Sequence, residues 1–505
     1  MKPTKNSQEQ YQKYVLAMQK IQDLNSATAL LHWDAEVNAP TKGAARRASQ
    51  IATLTATAHE WTTAKELDEL IHALYESKNG LSENEAANIT LSWEHLQKAK
   101  KLSTDFVTQF STIKSAASNA WVKARKAKDF GLFANELEAL IEQLKQKARL
   151  IGYEAHPYDA LLDEYEKGMT VAKLDVLFED IQQQLVAFAK QLRTKGKATE
   201  NTFLDKDYDE DEQWKLGLFL LEQMGYDFEA GRQDKSVHPF TMSLSATDVR
   251  VTTRILRDKP LEMISSCIHE GGHGLYEQGL KDEYYGLPMG MATSLGIHES
   301  QSRIWENNVG LSHEYWQANF LRLQQQFPAQ LQDITLERFY KAINQVKPNL
   351  IRIQADEIHY HLHILIRYQL EKGLIEGSIA VKDLDTVWNK LYQDYMGITV
   401  PDSAQGVLQD IHWSEALFGY FPTYSLGSLY AAQFFAQAEK DLPNLKQEIA
   451  QGNLTTLRIW LNENIHQYGQ KYTSEELCKR ITGEGLNFEY FMKYVKEKYG
   501  AIYEL

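Results

Sequence analysis

The sequence predicts an all-α, mainly helical fold that carries one small antiparallel β-sheet. Proline is scarce, at 11 of 505 residues, and a chain rich in Ala, Leu, Glu, Gln and Lys favours long helices. Apolar residues recur at helical spacing along most of the chain, whereas a single segment alternates as β-strands do. The fold class follows from these three observations.

The first part of the chain predicts successive amphipathic helices with short breaks. From about residue 8, Tyr11, Tyr14 and Met18 keep helical spacing, and further helices are expected over 46–59, 91–100, 106–128 and 132–150. The stretch Arg193–Lys197 and the acidic run Asp205–Glu212 then predict a surface connection. We therefore predict a single domain, 1–505, in two helical lobes of about 1–200 and about 201–505.

The strand-like segment comprises His238–Ser245 and Asp248–Thr253, which are rich in β-branched residues. It predicts a small antiparallel sheet just before the helix of residues 263–276. An exposed strand edge can hold an extended peptide by backbone pairing, but a purely structural hairpin has the same pattern. Helices return from Leu336 onward, and Gly397–Trp413 is loop-like.

Composition limits the environment and the partners. The chain is 43% hydrophobic and 24% charged, with a net charge of −14, which disfavours nucleic acid and anionic membranes as partners. Two cysteines form no disulfide framework. Met1–Gln8 has no apolar signal region, and no apolar run approaches the ~20 residues of a membrane span. We expect a cytoplasmic protein.

The most informative motif is His269-Glu270-Gly271-Gly272-His273. Residues four apart share one face of a helix, so both imidazoles can bind one metal ion. Glu270 lies about a quarter turn away, where it can reach a water on the metal as a general base. Each glycine costs a helix roughly 1 kcal/mol relative to alanine, so the pair predicts that another segment approaches closely.

A catalytic zinc usually has three protein ligands and one water. Two neighbours, Glu299 and His298, are candidates for the third ligand, in a helix that Thr293 or Ser294 can cap. Both ligand sets occur in zinc enzymes. Alternatively, Glu299 only forms an ion pair with Arg303, four residues later.

Motifs along nearly the whole chain resemble the carboxypeptidase Taq family of metallocarboxypeptidases. The matching stretches are His32-Trp33-Asp34 with Pro40, Gly43 and Gln50; Tyr158–Asp163; Gly231-Arg232; His238-Pro239-Phe240; Asp248-x-Arg250-x-Thr252; His269-Glu270-x-x-His273; His298–Gln301; Ile351-Arg352-x-x-Ala355-Asp356; and Gly406-x-x-Gln409-Asp410-x-His412-Trp413. The family often has a bulkier residue at position 271.

The resemblance implies a neurolysin-like helical zincin with a deep groove. It implies removal of single residues from free peptide C-termini with broad specificity, by attack of a metal-held water assisted by Glu270. It also implies one Zn²⁺ or Co²⁺ per chain, Glu299 as the third ligand after His269 and His273, and a homodimer. A metallo-oligopeptidase or endopeptidase on the same scaffold is the alternative, and a non-catalytic metal-stabilised scaffold would not need Glu270.

Further site residues are expected late in the chain. Related helical zinc peptidases place a His and Tyr pair there, so Tyr420 is the favoured oxyanion donor, with His412 and Tyr424 beside the substrate. Alternatively, one or both tyrosines are only packing residues. Arg352 matches the family and could bind the terminal carboxylate in bidentate fashion, with Arg250 as the alternative.

Two expectations concern the surroundings of these residues. His238 is expected near the groove. Glu277, four residues after His273, could accept the second ring N–H of that histidine, or it could be a solvent-exposed glutamate.

Overall fold

The computed structural model describes residues 5–195 and 201–505, and the predicted mainly helical fold is confirmed. Parts of two predicted segments, Met1–Gln8 and Arg193–Lys197, lie outside the described residues. The helices are α1 (Lys5–Val37), α2 (Ala44–Thr62), α3 (Lys65–Glu76), α4 (Glu83–Lys100), α5 (Thr104–Ala127), α6 (Gly131–Ile151), α7 (Pro157–Leu162), α8 (Val171–Asp180), α9 (Val186–Lys195), α10 (Glu210–Met224), α11 (Pro260–Gln278), α12 (Leu295–Arg303), α13 (His313–Gln326), α14 (Pro328–Leu331), α15 (Leu336–Ile343), α16 (Glu357–Glu376), α17 (Leu384–Met396), α18 (Phe421–Asp441), α19 (Leu445–Ala450), α20 (Thr455–Asn464), α21 (Ser474–Thr482) and α22 (Phe488–Tyr503).

Local sequence explains where several of these helices begin. Ser294 accepts the Ile297 N–H and caps α12, as predicted. Asp209, within the acidic run, accepts two backbone N–H groups and caps α10. That run is therefore partly a helix start and not only a connection. Beyond α12 the chain continues as a π-helical segment, Ile304–Gly310.

The sheet has three strands, β1 (Gly231–Lys235), β2 (Thr241–Ser245) and β3 (Asp248–Thr253), in the order β1-β3-β2. The predicted antiparallel pair β2 and β3 is confirmed. The prediction of a wholly antiparallel sheet is wrong, because β1 pairs with β3 in parallel. The sequence of β1 gave no strand signal: it is Gly-Arg-Gln-Asp-Lys, and only Gln233 is buried.

The core contains two main clusters of buried apolar side chains. The larger runs from Ala117 to Tyr503 and includes residues of α11, α12 and α18. The smaller packs α1, α3 and α4 against Leu287. The helices that carry the candidate metal ligands are thus held inside the larger cluster. Among the described residues, every helix is too short or too polar to cross a bilayer.

Candidate active site

Two glycines allow the helices of the site to touch. A Cβ on Gly272 of α11 would lie 2.7 Å from Cα of Ser302 in α12. A Cβ on Gly427 of α18 would lie 2.4 Å from Cγ of Glu299. Both gaps are too small for any side chain, so the close approach predicted from the glycine pair is confirmed.

This packing brings three donor groups together. The Nε2 atoms of His269 and His273 lie 3.8 and 3.5 Å from Oε2 of Glu299. The three ligand atoms lie within 4.8 Å of one another. Two imidazole nitrogens and one carboxylate oxygen are a donor set that divalent zinc accepts, with a fourth position left for water. The residues therefore fit a divalent ion.

The alternative ion pair of Glu299 also exists. Its Oε1 accepts a hydrogen bond of 2.7 Å from Nε of Arg303, while its Oε2 faces the imidazoles. One oxygen is thus fixed by the arginine and the other is directed at the ligand cluster. The two interpretations offered by the sequence are compatible.

His298 lies behind His273. Its Nδ1 is 2.5 Å from Nδ1 of His273, and its Nε2 is 2.8 Å from Oε1 of Glu277. The expected direct contact between Glu277 and His273 is therefore wrong, because His298 stands between them. The sequence missed this arrangement, since residue 298 comes from another helix.

Glu306 supports the other histidine and was missed by the sequence analysis. Its Oε2 lies 2.7 Å from Nδ1 of His269 and accepts a 3.0 Å bond from Nη1 of Arg303. Ser265 donates to its second oxygen at 2.6 Å. The signal was present, since Glu306 follows Glu299 by seven residues, a spacing that returns to the same helix face.

Buried charges shift the titration of these groups. Burial alone would lower the pKa of His269, but the carboxylates of Glu306 and Glu299 outweigh it and raise the pKa to about 9. Burial and the neighbouring His298 lower the pKa of His273 to about 3. For Glu299, burial is outweighed by Arg303 and His269, which hold its pKa well below the usual value.

Glu270 is buried next to this cluster, and burial raises its pKa. Thr241, the first residue of β2, donates a hydrogen bond of 2.7 Å to its Oε2. The sheet therefore fixes the orientation of the carboxylate. A raised pKa suits a group that takes up a proton and releases it again.

An aromatic group surrounds Tyr420. The ring lies 5.4 Å from both His412 and Tyr424, and Tyr165 packs edge-on against it at 5.3 Å. Nε2 of His412 is 3.2 Å from the Tyr424 hydroxyl. Glu299 contributes to the raised pKa of Tyr420 after burial, which is the larger cause. Residues 412, 420 and 424 thus form one cluster close to the ligand carboxylate.

Arg352 is buried and already paired. Its Nε donates to Oδ1 of Asp410 at 3.0 Å and its Nη1 donates to the Tyr360 hydroxyl at 2.8 Å. The guanidinium carbon lies 4.8 Å from the centre of the Tyr424 ring. The arginine therefore adjoins the aromatic cluster around Tyr420.

Two other predicted residues lie on or near the sheet. Arg250 forms a two-pronged pair with Asp248, at 2.8 and 2.9 Å, and stacks on Trp33. His238 is exposed in the connection between β1 and β2, and its carbonyl accepts the Ser236 hydroxyl at 2.6 Å. This contact is made by the backbone of His238 and not by its imidazole.

A groove of about 1380 Å³ opens beside His298 and Glu277. Its walls include Ser243–Ala246 at the end of β2, Thr293–Leu295 before and at the start of α12, and Tyr165. Strand β2 is an edge strand of the sheet. The groove therefore borders His298 and Glu277, on the far side of His298 from His273, and follows the strand that also positions Glu270.

A helical fold with this ligand trio and a buried glutamate defines a metallopeptidase-like site, and comparisons with known proteins identify the family. Residues 13–499 match the model of the carboxypeptidase Taq (M32) metallopeptidases. The chain therefore belongs to the M32 carboxypeptidase family. Membership implies a divalent metal and peptide substrates.

Individual relatives match over nearly their whole length. The chain is 38% identical to carboxypeptidase 1 of Bacillus subtilis, and the match covers 97% of each chain. It is also 38% identical to thermostable carboxypeptidase 1 of Thermus thermophilus, covering 95% of this chain and 96% of that one. The crystal structure of the M32 carboxypeptidase of Deinococcus radiodurans superposes with a TM-score of 0.96 at 35% identity, covering 98% of this chain and 100% of that one.

Proposed function

We propose that this metallocarboxypeptidase releases single amino acids from free peptide C-termini with broad side-chain specificity. The observation that carries the proposal is the buried Glu270 carboxylate, fixed by Thr241 beside the trio His269, His273 and Glu299. A structural metal site needs ligands but no such base.

The metal that we propose is one Zn²⁺ per chain, with Co²⁺ as a possible substitute. Both ions accept imidazole nitrogen and carboxylate oxygen. When bound, such an ion polarises the scissile carbonyl and lowers the pKa of a water at the open position. His269, His273 and Glu299 would hold it, with Glu306 and His298 orienting the two imidazoles.

Glu270 takes the proton from the attacking water and later delivers it to the departing amine. The Tyr420 hydroxyl donates a hydrogen bond to the oxygen that becomes negative as the carbonyl carbon turns tetrahedral. Its place in a cluster close to Glu299 supports this role. The site is buried, so the electrostatic interactions of Glu270 and Tyr420 are stronger there than they would be in water, which screens charges more.

The substrate terminus is proposed to lie beside Arg352, His412 and Tyr424. Arg352 has five N–H donors. Its Nε donates to Asp410 and its Nη1 donates to the Tyr360 hydroxyl. Its Nη2 also pairs with Asp410, at 3.0 Å. His238 is proposed at the same end of the site. The preceding peptide would follow the β2 edge into the groove.

Three further predictions concern the whole molecule. We propose that the enzyme is a homodimer in the cytoplasm. The division into an N-terminal helical lobe, about 1–200, and a metal-binding lobe, about 201–505, also stays a prediction.

A digest of matched peptides tests the proposed activity. One peptide carries a blocked N-terminus and a free C-terminus, and its partner has the same sequence with a C-terminal amide. A carboxypeptidase shortens the first peptide by successive single residues and spares the second. Internal cleavage of both peptides would mean an endopeptidase, and no cleavage by the zinc- or cobalt-loaded protein would mean a non-catalytic scaffold. The Glu270→Gln variant controls for contaminating peptidases.

A further inference from the structure

We propose that Glu371 is a positioning residue that holds the Gly419–Tyr420 turn and thereby aims the Tyr420 hydroxyl at the reacting carbonyl. The proposal rests on the role of Tyr420 proposed above. Glu371 lies in α16, is fully buried at 0% exposure, and belongs to no motif that the sequence analysis singled out.

Three donors from two segments, the loop 413–419 and α7, converge on this carboxylate. Oε2 accepts the backbone N–H of Gly419 at 3.0 Å and also the hydroxyl of Tyr158. Oε1 accepts the indole N–H of Trp413 at 2.8 Å. Glu371 therefore binds both ends of the loop 413–419, whose neighbours His412 and Tyr420 belong to the candidate site.

The Gly419–Tyr420 turn packs closely against the backbone of α7. Gly419 has φ +92°, and a Cβ there would lie 2.8 Å from the carbonyl carbon and oxygen of Leu161. Leu161 and Tyr158 belong to α7, part of the matched stretch Tyr158–Asp163 for which the reaction gave no use. Residues of this stretch thus pack directly against the Gly419–Tyr420 turn, and Glu371 is hydrogen-bonded both to the stretch and to the turn.

A buried carboxylate with only donors around it is a specific arrangement. Burial raises the pKa of Glu371 to about 7, and the bonds from Tyr158, Gly419 and Trp413 limit the rise. A glutamine cannot accept all three of these bonds. A glutamine offers one acceptor oxygen and one amide NH₂, so in either orientation the NH₂ faces the N–H of Gly419 or of Trp413.

The test is a double-mutant cycle between Glu371→Gln and Tyr420→Phe, with metal content measured for each protein. Removing one oxyanion donor typically lowers kcat by about 10²–10³-fold, and we expect Glu371→Gln to lower kcat about tenfold or more with KM changed much less. In the Tyr420→Phe background the same substitution should cost less than about twofold, because the hydroxyl that it misplaces is already gone.

Matched variants separate this role from a general loss of stability. Glu357→Gln removes another buried carboxylate of α16, bonded to Tyr499 at 2.8 Å and Lys498 at 3.0 Å, and should lower thermal stability without changing kcat. If Glu371→Gln folds poorly, Glu371→Gln with Trp413→Phe removes the opposed N–H and should recover kcat.

The outcomes distinguish the two proposals. If Tyr420→Phe lowers kcat but Glu371→Gln costs the same in both backgrounds, Glu371 does not act through Tyr420 and this inference is overturned. If Tyr420→Phe leaves kcat unchanged, the role of Tyr420 is wrong and the positioning proposal falls with it. Activity against free C-termini would survive either result.

Discussion

Nδ1 of His298 lies 2.5 Å from Nδ1 of His273, and this contact defines which tautomer the candidate metal ligand His273 adopts. Glu277, 2.8 Å from Nε2 of His298, is a hydrogen-bond acceptor, so it holds the His298 proton on Nε2. Nδ1 of His298 then accepts the Nδ1–H of His273. The lone pair on Nε2 of His273 is therefore free to face the metal position.

Breaking the hydrogen-bond chain Glu277–His298–His273 should weaken metal binding. We expect His298→Phe to lower metal affinity about 10–100-fold, the range for partners that orient metal-bound histidines. Competition with a chromophoric chelator measures the affinity. His313→Phe is the control, because His313 pairs with Glu337 at 2.7 Å on the surface. Equal metal affinity in His298→Phe and wild type would contradict this role of the hydrogen-bond chain.

The third-ligand assignment gives a ranking of variants. Glu299→Ala removes a donor and leaves only two protein ligands, so its loss of affinity should exceed that of His298→Phe. Elemental analysis after dialysis against limiting zinc gives the occupancy. Full occupancy of Glu299→Ala with unchanged affinity would exclude Glu299, and the reverse ranking would favour His298 as the ligand.

The general base can be removed without changing size. In Glu270→Gln, Thr241 can still donate to the side-chain oxygen, so metal and geometry should persist. We expect kcat to fall by about 10²–10⁴-fold, the usual contribution of general-base catalysis. Thr241→Val is the matched variant, since it keeps the base and loses the hydroxyl that bonds the carboxylate and the carbonyl oxygen of Glu270. Wild-type turnover by metal-loaded Glu270→Gln would refute the mechanism.

Glu166 predicts a pH dependence of stability. It is 1% exposed, accepts the Gly296 N–H at 3.0 Å and lies near Tyr276 and Tyr430. Burial raises its pKa from 4.5 to about 7. The folded state thus favours the protonated acid, so this contribution is complete below pH 4.5 and is lost as pH rises toward 7.

The contribution of Glu166 to the pH dependence of stability can be measured by comparing wild type with Glu166→Gln. A shift of this size corresponds to about 3 kcal/mol. Glutamine suits the site, because its oxygen can accept from Gly296 while its amide donates to nearby serine hydroxyls. Melting temperatures between pH 5 and 8 should therefore fall more steeply for wild type than for Glu166→Gln. Parallel curves would contradict the assignment.

The sequence predicted the helices and the pair His269 and His273 because both depend on local spacing, whereas Glu299 was preferred to His298 through the family resemblance. The i, i+4 histidines and the Ser294 cap are set within one turn of chain. It could not predict β1, whose polar sequence becomes a strand only by pairing with β3. It also missed His298 behind His273, and Glu371 beneath Gly419. These contacts join residues 25 and 48 positions apart, so they depend on how distant helices pack.

The last prediction concerns Arg352 and the substrate terminus. We expect Arg352 to bind the C-terminal carboxylate, because a partly desolvated anion needs a charged partner. A hydrogen bond to a charged group is worth about 1.5–3 kcal/mol, so Arg352→Ala should lower kcat/KM for free-acid peptides roughly 10–150-fold. Amidated peptides, poor substrates for wild type, should lose little more.

The structure supplies controls for this test. Arg352 also pairs with Asp410, which keeps a second partner in Arg367 at 2.6 Å, so the aspartate is not left uncompensated. Arg250→Ala breaks the comparable pair with Asp248 on the sheet and should affect free-acid and amidated peptides alike. Equal damage to both peptides in Arg352→Ala would make Arg352 structural, and selective damage in Arg250→Ala would transfer the terminus-binding role to that residue.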